Sequence, residues 1–147
     1  MCGIIGIQNN SEAATLAYMG LYAQQHRGQE GAGVVSSDGS ELHRHMGQGM
    51  VSDVFSNPEV FNSLVGDSAI GHVRYSTTGN SDPKNVGPLT FNMGDYSLSI
   101  AHNGNLVNID EIRKQLQEDG ALFQTTTDTE LIIHLLAREK GDSLVEK

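Results

Sequence analysis

The stretch Met1-Cys2-Gly3-Ile4-Ile5-Gly6-Ile7 places the only cysteine of the chain directly after the first methionine. The short apolar run over residues 2–7 predicts a buried strand. Removal of Met1 would leave Cys2 with a free α-amine, which is a base near neutral pH on the same residue as the thiol. Cys2 is therefore a candidate nucleophile that carries its own base. The alternative is a small buried cysteine at the edge of a strand, because free cysteines are among the most buried residues.

The charge and composition of the chain argue against nucleic-acid-binding, membrane and secreted proteins. The chain has 147 residues, and nine Lys and Arg against 18 Asp and Glu give a net charge of −9. This charge repels nucleic acid and anionic lipid, and no apolar stretch is long enough to cross a bilayer, so we expect no nucleic-acid partner and no membrane association. No basic segment precedes an apolar one at the start, so we expect no secretory signal and a cytoplasmic location.

Strands and helices are mixed without strict alternation, which favours an α+β fold with one domain over residues 2–147. Apolar runs bounded by turn residues predict strands over 2–7, 34–37, 41–46, 68–73 and 96–102. A long polar loop is expected from residue 74 to about residue 89.

Three helices are predicted from apolar periodicity, over residues 11–24, 108–119 and 127–140. Ser11 is the expected N-cap of the first helix. The other two helices each begin with the spacing of a capping box, in the pairs Asn108 with Glu111 and Thr127 with Glu130. Weaker helical turns are expected over 51–55 and 58–64.

Polar residues stand where two of the predicted strands end. Arg74 follows the fourth strand and can hold a carboxylate by a bidentate contact. Asn103, together with the backbone N–H of Gly104, can form an oxyanion hole, although a simple hairpin turn is the alternative for this pair. Asp128 can bind an ammonium group, and an ordinary N-cap is its alternative. Together these groups predict a pocket for an amino acid with a reacting carbonyl.

The histidines give weaker signals. His43 and His45 lie two apart on a predicted strand, which is a possible metal spacing, but no set of further ligands completes it and we predict no metal site. His72 or His102 could pair with Cys2 as in papain-like enzymes, although an α-amine would make that partner unnecessary.

Five segments, in order along the chain, resemble those of class II glutamine amidotransferases, in the variant typical of amidophosphoribosyltransferases. They are Met1-Cys2-Gly3-Ile4-Ile5-Gly6-Ile7, Gln25-His26-Arg27-Gly28-Gln29-Glu30-Gly31-Ala32-Gly33, Gly71-His72-Val73-Arg74-Tyr75-Ser76-Thr77, Ile100-Ala101-His102-Asn103-Gly104-Asn105-Leu106-Val107-Asn108 and Thr127-Asp128-Thr129-Glu130-Leu131-Ile132. Each segment alone is weak, but their common order makes the resemblance specific.

The resemblance implies a four-layer αββα N-terminal-nucleophile hydrolase fold that hydrolyses glutamine to glutamate and ammonia. Cys2 would attack the side-chain amide and form a γ-glutamyl thioester, with Asn103 and Gly104 stabilising the oxyanion. The remaining implied roles concern the α-carboxylate and the α-amino group of glutamine, which would be held by Arg74, Thr77 and Asp128.

In this family, ammonia passes to a second domain and displaces pyrophosphate from phosphoribosyl pyrophosphate, which gives 5-phosphoribosylamine in the first committed step of purine synthesis. The resemblance further implies that residues 2–147 are the N-terminal portion of the glutaminase domain, with an incomplete fold. No cofactor is expected in this chain, because magnesium, and an iron–sulfur cluster in some members, would belong to the C-terminal part. A homo-oligomer is expected for the full-length protein.

Two alternatives remain. The chain could be another class II amidotransferase, although the pair Gln29-Glu30 argues against this. It could also be a truncated, non-catalytic fragment that retains the residues of a glutamine site.

Overall fold

The computed structural model of the chain describes residues 1–75, 82–141 and 143. The chain divides into two compact units, Met1–Gly104 and Asn105–Lys147. The single domain over residues 2–147 stays a prediction.

The first unit contains a four-stranded antiparallel sheet. Its strands are β1 (Gly3–Ile7), β2 (Gly31–Ser37), β3 (Leu42–Gln48) and β4 (Ser68–Arg74). Their order across the sheet is β1-β4-β2-β3, so the first strand of the chain pairs with the fourth. All four strands confirm the sequence prediction, except that β2 begins three residues earlier than expected.

The hairpin between β2 and β3 is closed by Asp38. Its Oδ1 accepts hydrogen bonds from the backbone N–H groups of Ser40 and Glu41 at 2.9 and 2.8 Å, and its Oδ2 lies 3.1 Å from His43 Nε2. These contacts, above all the Glu41 N–H, hold the pKa of the Asp38 carboxyl well below its usual range. Gly39 follows with a φ of 90°, a conformation that favours glycine.

A second, two-stranded antiparallel sheet consists of β5 (Leu89–Met93) and β6 (Tyr96–Ile100). Strand β5 was not predicted, because Gly87 and Pro88 next to it are typical of a loop. The turn of this hairpin lies at Gly94, with a φ of 66°, and not at Asn103-Gly104. Two sheets with helices confirm the α+β class.

Helix α1 (Ala13–Ala23) packs on one face of the four-stranded sheet through small side chains. Ala13, Ala17 and Leu21 are fully buried. A Cβ on Gly20 would lie 2.0 Å from Ile5 Cδ1, so a larger residue here would require the end of the Ile5 side chain to move.

The start of α1 differs from the prediction. The N-cap position is Glu12 and not Ser11, and no side chain caps the helix there. The backbone N–H of Glu12 donates to the Asn10 carboxamide oxygen at 2.8 Å. The predicted helical turns after β3 are confirmed as α2 (Val51–Val54) and a 3-10 turn over Pro58–Asn62.

The opposite face of the sheet is covered by the segment before β5. A Cβ on Gly31 would lie 2.7 Å from Val86 Cγ2, and a Cβ on Gly33 would lie 2.4 Å from the Gly87 carbonyl oxygen. The glycines of β2 therefore allow another backbone to lie directly against the sheet.

The second unit contains α3 (Ile109–Glu118) and α4 (Asp128–Leu136). Asn108 and Thr127 occupy the N-cap positions as predicted, but neither side chain bonds the backbone of its helix, so both predicted capping boxes are wrong. Gly120 follows α3 with a φ of 87°, as expected of a helix-ending glycine. No helix of the described residues is long and apolar enough to span a bilayer.

Candidate functional site

The geometry of β1 and β4 brings Cys2 next to Arg74. The ladder ends at the pair Gly3 with Val73, and Cys2 and Arg74 are the residues directly beyond this pair in the two segments. Cys2 is half-buried, and its Sγ lies 3.7 Å from the carbonyl oxygen of Tyr75. Two predicted site residues, Cys2 and Arg74, therefore lie at the same end of the β1–β4 ladder.

The segment after α1 holds the backbone of Cys2. Arg27 Nε donates a hydrogen bond to the Cys2 carbonyl oxygen at 3.1 Å. Gly28 is buried beside β4, where a Cβ would lie 2.6 Å from both the carbonyl carbon and the oxygen of Arg74. A residue with a side chain does not fit at position 28 unless the backbone of β4 or of this segment shifts.

Arg74 is fixed by neighbours on both sides. Its Nη1 donates to the Asn85 carbonyl oxygen at 3.2 Å, and its Nε lies 3.8 Å from Glu30 Oε2. Only 17% of its side chain is exposed. A guanidinium oriented in advance loses less conformational entropy when a carboxylate binds.

His72 lies two residues before Arg74 on the same strand, so both side chains project from one face of the sheet. It is buried, with 6% of its surface exposed. Burial, aided by the positive charge of Arg74, lowers the pKa of His72 to about 4. The imidazole is therefore neutral at neutral pH.

Asn103 and Gly104 lie in an exposed, irregular segment that follows β6. A Cβ on Gly104 would lie 2.8 Å from His102 Nε2, so the segment folds back on its own preceding residue. An exposed backbone N–H and carboxamide are available to a ligand, as an oxyanion hole requires.

In the second unit, Asp128 is the first residue of α4 and not its N-cap. Its Oδ2 accepts a hydrogen bond from the backbone N–H of Leu106 at 3.1 Å. The start of α4 is held by Glu130, which is 1% exposed and accepts three hydrogen bonds, from Gln124 N, Thr125 N and Thr125 Oγ1 at 2.8, 2.7 and 2.7 Å.

Arg113 completes this network. It donates to the carbonyl oxygens of Thr125 and Thr127 at 3.3 and 3.1 Å, and its guanidinium lies 4.2 Å from the centre of the Phe123 ring. The turn that leads into α4 is thereby fixed from both sides.

Thr77 and the possible metal ligands His43 and His45 are the remaining residues that the sequence singled out. Thr77 lies outside the described residues. His43 contacts Asp38, whereas His45 Nε2 lies 2.8 Å from the Val54 carbonyl oxygen, so the two histidines have separate partners. In the described ranges, no group of three or more His, Cys, Asp or Glu side chains is placed to hold a metal ion.

Sequence reasoning did not assign a role to Arg27, Glu30 or Arg113, and it gave Glu130 only the role of a capping-box partner of Thr127. The first two lie in the segment 25–33, which was used only as a mark of resemblance. An arginine and a glutamate close to Gly28 could have indicated a functional role for this segment. A carboxylate within an apolar helix could have indicated a structural role for Glu130.

Comparison with known proteins identifies glutamine amidotransferases as relatives of the chain. A family model for a glutamine amidotransferase domain matches residues 59–147. The chain is 46% identical over 140 residues to an amidophosphoribosyltransferase of Lacticaseibacillus casei, which covers 95% of the chain and 72% of that relative.

Two solved structures resemble the whole chain. One is described as the allosteric regulatory enzyme of purine biosynthesis, with a TM-score of 0.92 and 45% identity. The other is a glutamine phosphoribosylpyrophosphate amidotransferase from B. subtilis, with a TM-score of 0.90 and 44% identity. Each comparison covers 99% of this chain but only 31% of the solved chain.

The matches confirm the resemblance that the five sequence segments indicate, including the N-terminal-nucleophile hydrolase fold of the solved relatives. With a family model over more than half of its length and a relative of which it spans 72%, the chain belongs to the glutamine amidotransferase domain family, in the amidophosphoribosyltransferase branch.

Proposed function

We propose that this chain is the glutamine-hydrolysing part of an amidophosphoribosyltransferase. The observation that carries the proposal is the antiparallel ladder of β1 and β4, because its end pair, Gly3 with Val73, adjoins Cys2 in one segment and Arg74 in the other. A nucleophile beside a pre-oriented guanidinium suits a substrate that has a carboxylate at one end and a reacting carbonyl at the other.

The reaction begins once Met1 is removed and the α-amine of Cys2 is free. That amine takes the thiol proton as the sulfur attacks the side-chain amide carbon of glutamine. Asn103 and the N–H of Gly104 stabilise the oxyanion, and the proton returns to the departing nitrogen, which leaves as ammonia. Water then hydrolyses the γ-glutamyl thioester and releases glutamate.

Arg74, Thr77 and Asp128 bind the α-carboxylate and the α-amino group in this proposal. Asp128 has the charge for an ammonium group, and its partner Leu106 lies two residues after Gly104 in the chain.

The fate of the ammonia is proposed from the relatives. One solved relative is a phosphoribosylpyrophosphate amidotransferase, so the second substrate is phosphoribosyl pyrophosphate and the product is 5-phosphoribosylamine. We assign that step to a transferase domain of a longer, cytoplasmic and homo-oligomeric protein. We assign magnesium, and the iron–sulfur cluster of some family members, to that domain as well.

The test is glutamate release from glutamine by the purified chain, with Met1 removal checked by mass spectrometry. Cys2→Ala removes the nucleophile and should abolish turnover, by at least about 10⁴-fold. A glutamine analogue with an electrophilic carbon at the amide position should label Cys2 only where Met1 is absent.

Two results contradict the proposal. Full glutaminase activity with Met1 attached would exclude the α-amine as the base. A processed chain that neither hydrolyses glutamine nor reacts with the analogue would favour the non-catalytic alternative.

A further inference from the structure

Gln25 is a half-buried polar side chain that has no role in the proposed reaction. It is the first residue of the short 3-10 turn Gln25–Arg27, which follows α1. Its carboxamide makes two hydrogen bonds, one as donor and one as acceptor, and both reach backbone atoms of other residues. A side chain that is paired at both ends has a fixed orientation, so it can transmit position from one segment to another.

The first hydrogen bond of Gln25 sets the shape of the turn. Its Nε2 donates to the Gly28 carbonyl oxygen at 2.5 Å, and its own carbonyl oxygen accepts from the Gly28 backbone N–H at 3.2 Å. Gly28 has an extended backbone, with a φ of −169° and a ψ of 136°, so the chain leaves the turn at this residue. The carboxamide thus bonds the turn at the point where its direction changes.

The second hydrogen bond ties the turn to the start of α2. Gln25 Oε1 accepts from the backbone N–H of Val51 at 2.6 Å. Val51 is the first residue of α2 and is fully buried, so its N–H needs a partner from outside the helix. Because a backbone N–H only donates and a carbonyl only accepts, these two partners also fix which end of the carboxamide is the nitrogen.

The turn that Gln25 holds contacts both segments of the candidate site. Arg27 Nε donates to the Cys2 carbonyl oxygen at 3.1 Å. Gly28 lies so close to β4 that a Cβ there would be 2.6 Å from the Arg74 carbonyl carbon. The backbone N–H of Glu30 then donates to the Arg74 carbonyl oxygen at 3.2 Å. The shape of the turn therefore affects where Cys2 lies relative to Arg74.

We propose that Gln25 is a positioning residue of the glutaminase reaction, because its carboxamide fixes the turn that bonds the backbone of Cys2. Both of its hydrogen bonds end on backbone atoms, so it acts on the nucleophile through Arg27 and Gly28. The contact with Val51 anchors the carboxamide, and the contact with Gly28 positions the turn. This inference rests on the proposed function.

The expected signature is a lower kcat at nearly constant KM. The Arg74 side chain keeps its contacts with Asn85 and Glu30 when the Gln25 carboxamide is lost, so glutamine binding should change little. The sulfur of Cys2 must approach the amide carbon in a defined geometry, and a misplacement of about 1 Å costs about 10²-fold in rate.

The experiment compares Gln25→Glu with Gln25→Met in glutamate release by the processed chain at neutral pH. The glutamate side chain keeps an oxygen for the Val51 N–H but cannot donate to the Gly28 carbonyl oxygen, whereas methionine makes neither contact. We expect both variants to lower kcat by about 10²-fold with KM within about threefold. Labelling of Cys2 by the electrophilic glutamine analogue should slow by a similar factor.

Gln29→Glu is the matched control, because Gln29 is exposed in the same segment and the substitution adds the same charge. Its kcat should stay within about threefold of wild type. A kcat as low as that of Gln25→Glu would assign the effect to charge and overturn the inference.

A Gln25→Glu variant as active as wild type would also overturn it, because the contact with Val51 would then be all that the side chain supplies. So would a raised KM at unchanged kcat. If both variants fail to fold, hydrogen exchange of the wild-type side-chain amides decides, since a Gln25 amide that exchanges as fast as that of Gln29 would contradict the contact with Gly28. An inactive wild-type chain refutes the proposed function and this inference together, whereas an active chain with an indifferent Gln25 refutes the inference alone.

Discussion

Arg74 at the end of β4 and Asp128 at the start of α4 are held in place by different means. Around Arg74, glycines allow backbones to approach so closely that Gly28 lies directly against the strand. Around Asp128, a buried carboxylate and an arginine bond the preceding turn through five hydrogen bonds. The stability of the first region should therefore fall when a side chain is added at a glycine. The stability of the second region should fall when a charged group is removed.

The largest effect is expected from a methyl group at Gly28. The φ of Gly28 is −169°, which any residue adopts, so the cost of Gly28→Ala comes only from the contact of its Cβ with the Arg74 backbone. We expect a loss of about 3 kcal/mol in the free energy of unfolding and weaker glutamine binding. Denaturant unfolding and the KM for glutamine measure the two effects.

Gly6→Ala is the matched control, because a Cβ on Gly6 meets nothing within 4 Å. Its stability should stay within about 0.5 kcal/mol of wild type or rise slightly. Equal losses at both positions would mean that volume is not what distinguishes Gly28.

A smaller loss of stability is expected when the pH is lowered, because His72 is buried in its neutral form. The pKa of this ring falls from 6.5 to about 4 through burial, with Arg74 and His102 as the charged groups that face it. Between these values the unfolded chain binds a proton that the folded chain excludes. Stability is therefore complete above pH 6.5 and falls as the pH drops toward 4, by about 2 kcal/mol between pH 7.5 and pH 5.

Urea unfolding at these two pH values, in wild type and His72→Gln, measures this contribution. The variant should show a smaller loss, since it lacks the titrating ring. Parallel losses in both proteins would assign the acid sensitivity to other groups.

The smallest effect concerns the charge network of the second unit. In Glu130→Gln one carboxylate oxygen becomes an NH₂ group, which cannot accept from Gln124 or Thr125. We expect a loss of about 1.5 kcal/mol and faster amide hydrogen exchange at whichever of the two residues faces the NH₂ group. In the exposed pair Lys114–Glu118, with 3.9 Å between charges, Glu118→Gln should cost less than about 0.5 kcal/mol.

An unchanged exchange rate at Gln124 and Thr125 in Glu130→Gln would mean that the turn is held without the carboxylate. The contrast drawn above would then be wrong, because a charge network would no longer distinguish the region around Asp128 from the region around Arg74.

Most strands were readable from the sequence because apolar runs and turn residues are local signals. The start of β2 was not, because Gly31 and Gly33 carry no side chain and their fit against Val86 and Gly87 appears only in three dimensions. Likewise Ser11 had the residue type of an N-cap, but Glu12 occupies the N-cap position and no side chain caps the helix.

For the site, the sequence predicted that Cys2 and Arg74 lie at strand ends, and both residues adjoin the end pair of the β1–β4 ladder, Gly3 with Val73. It could not predict that Glu30 and Asn85 orient the guanidinium, because these contacts join segments far apart in the chain. Thr77 lies outside the described residues, and the roles of Asn103, Gly104 and Asp128 stay predictions.

The order β1-β4-β2-β3 also has a consequence for how the chain folds. Strands β2 and β3 are joined by a short hairpin, whereas β1 must wait for β4, with 60 residues between Ile7 and Ser68. Closing a long loop costs more entropy than closing a short one, so we expect β1 to pair late. The strand synthesised first would then be among the last to dock, and the candidate nucleophile would reach its place only when the rest of the sheet is formed.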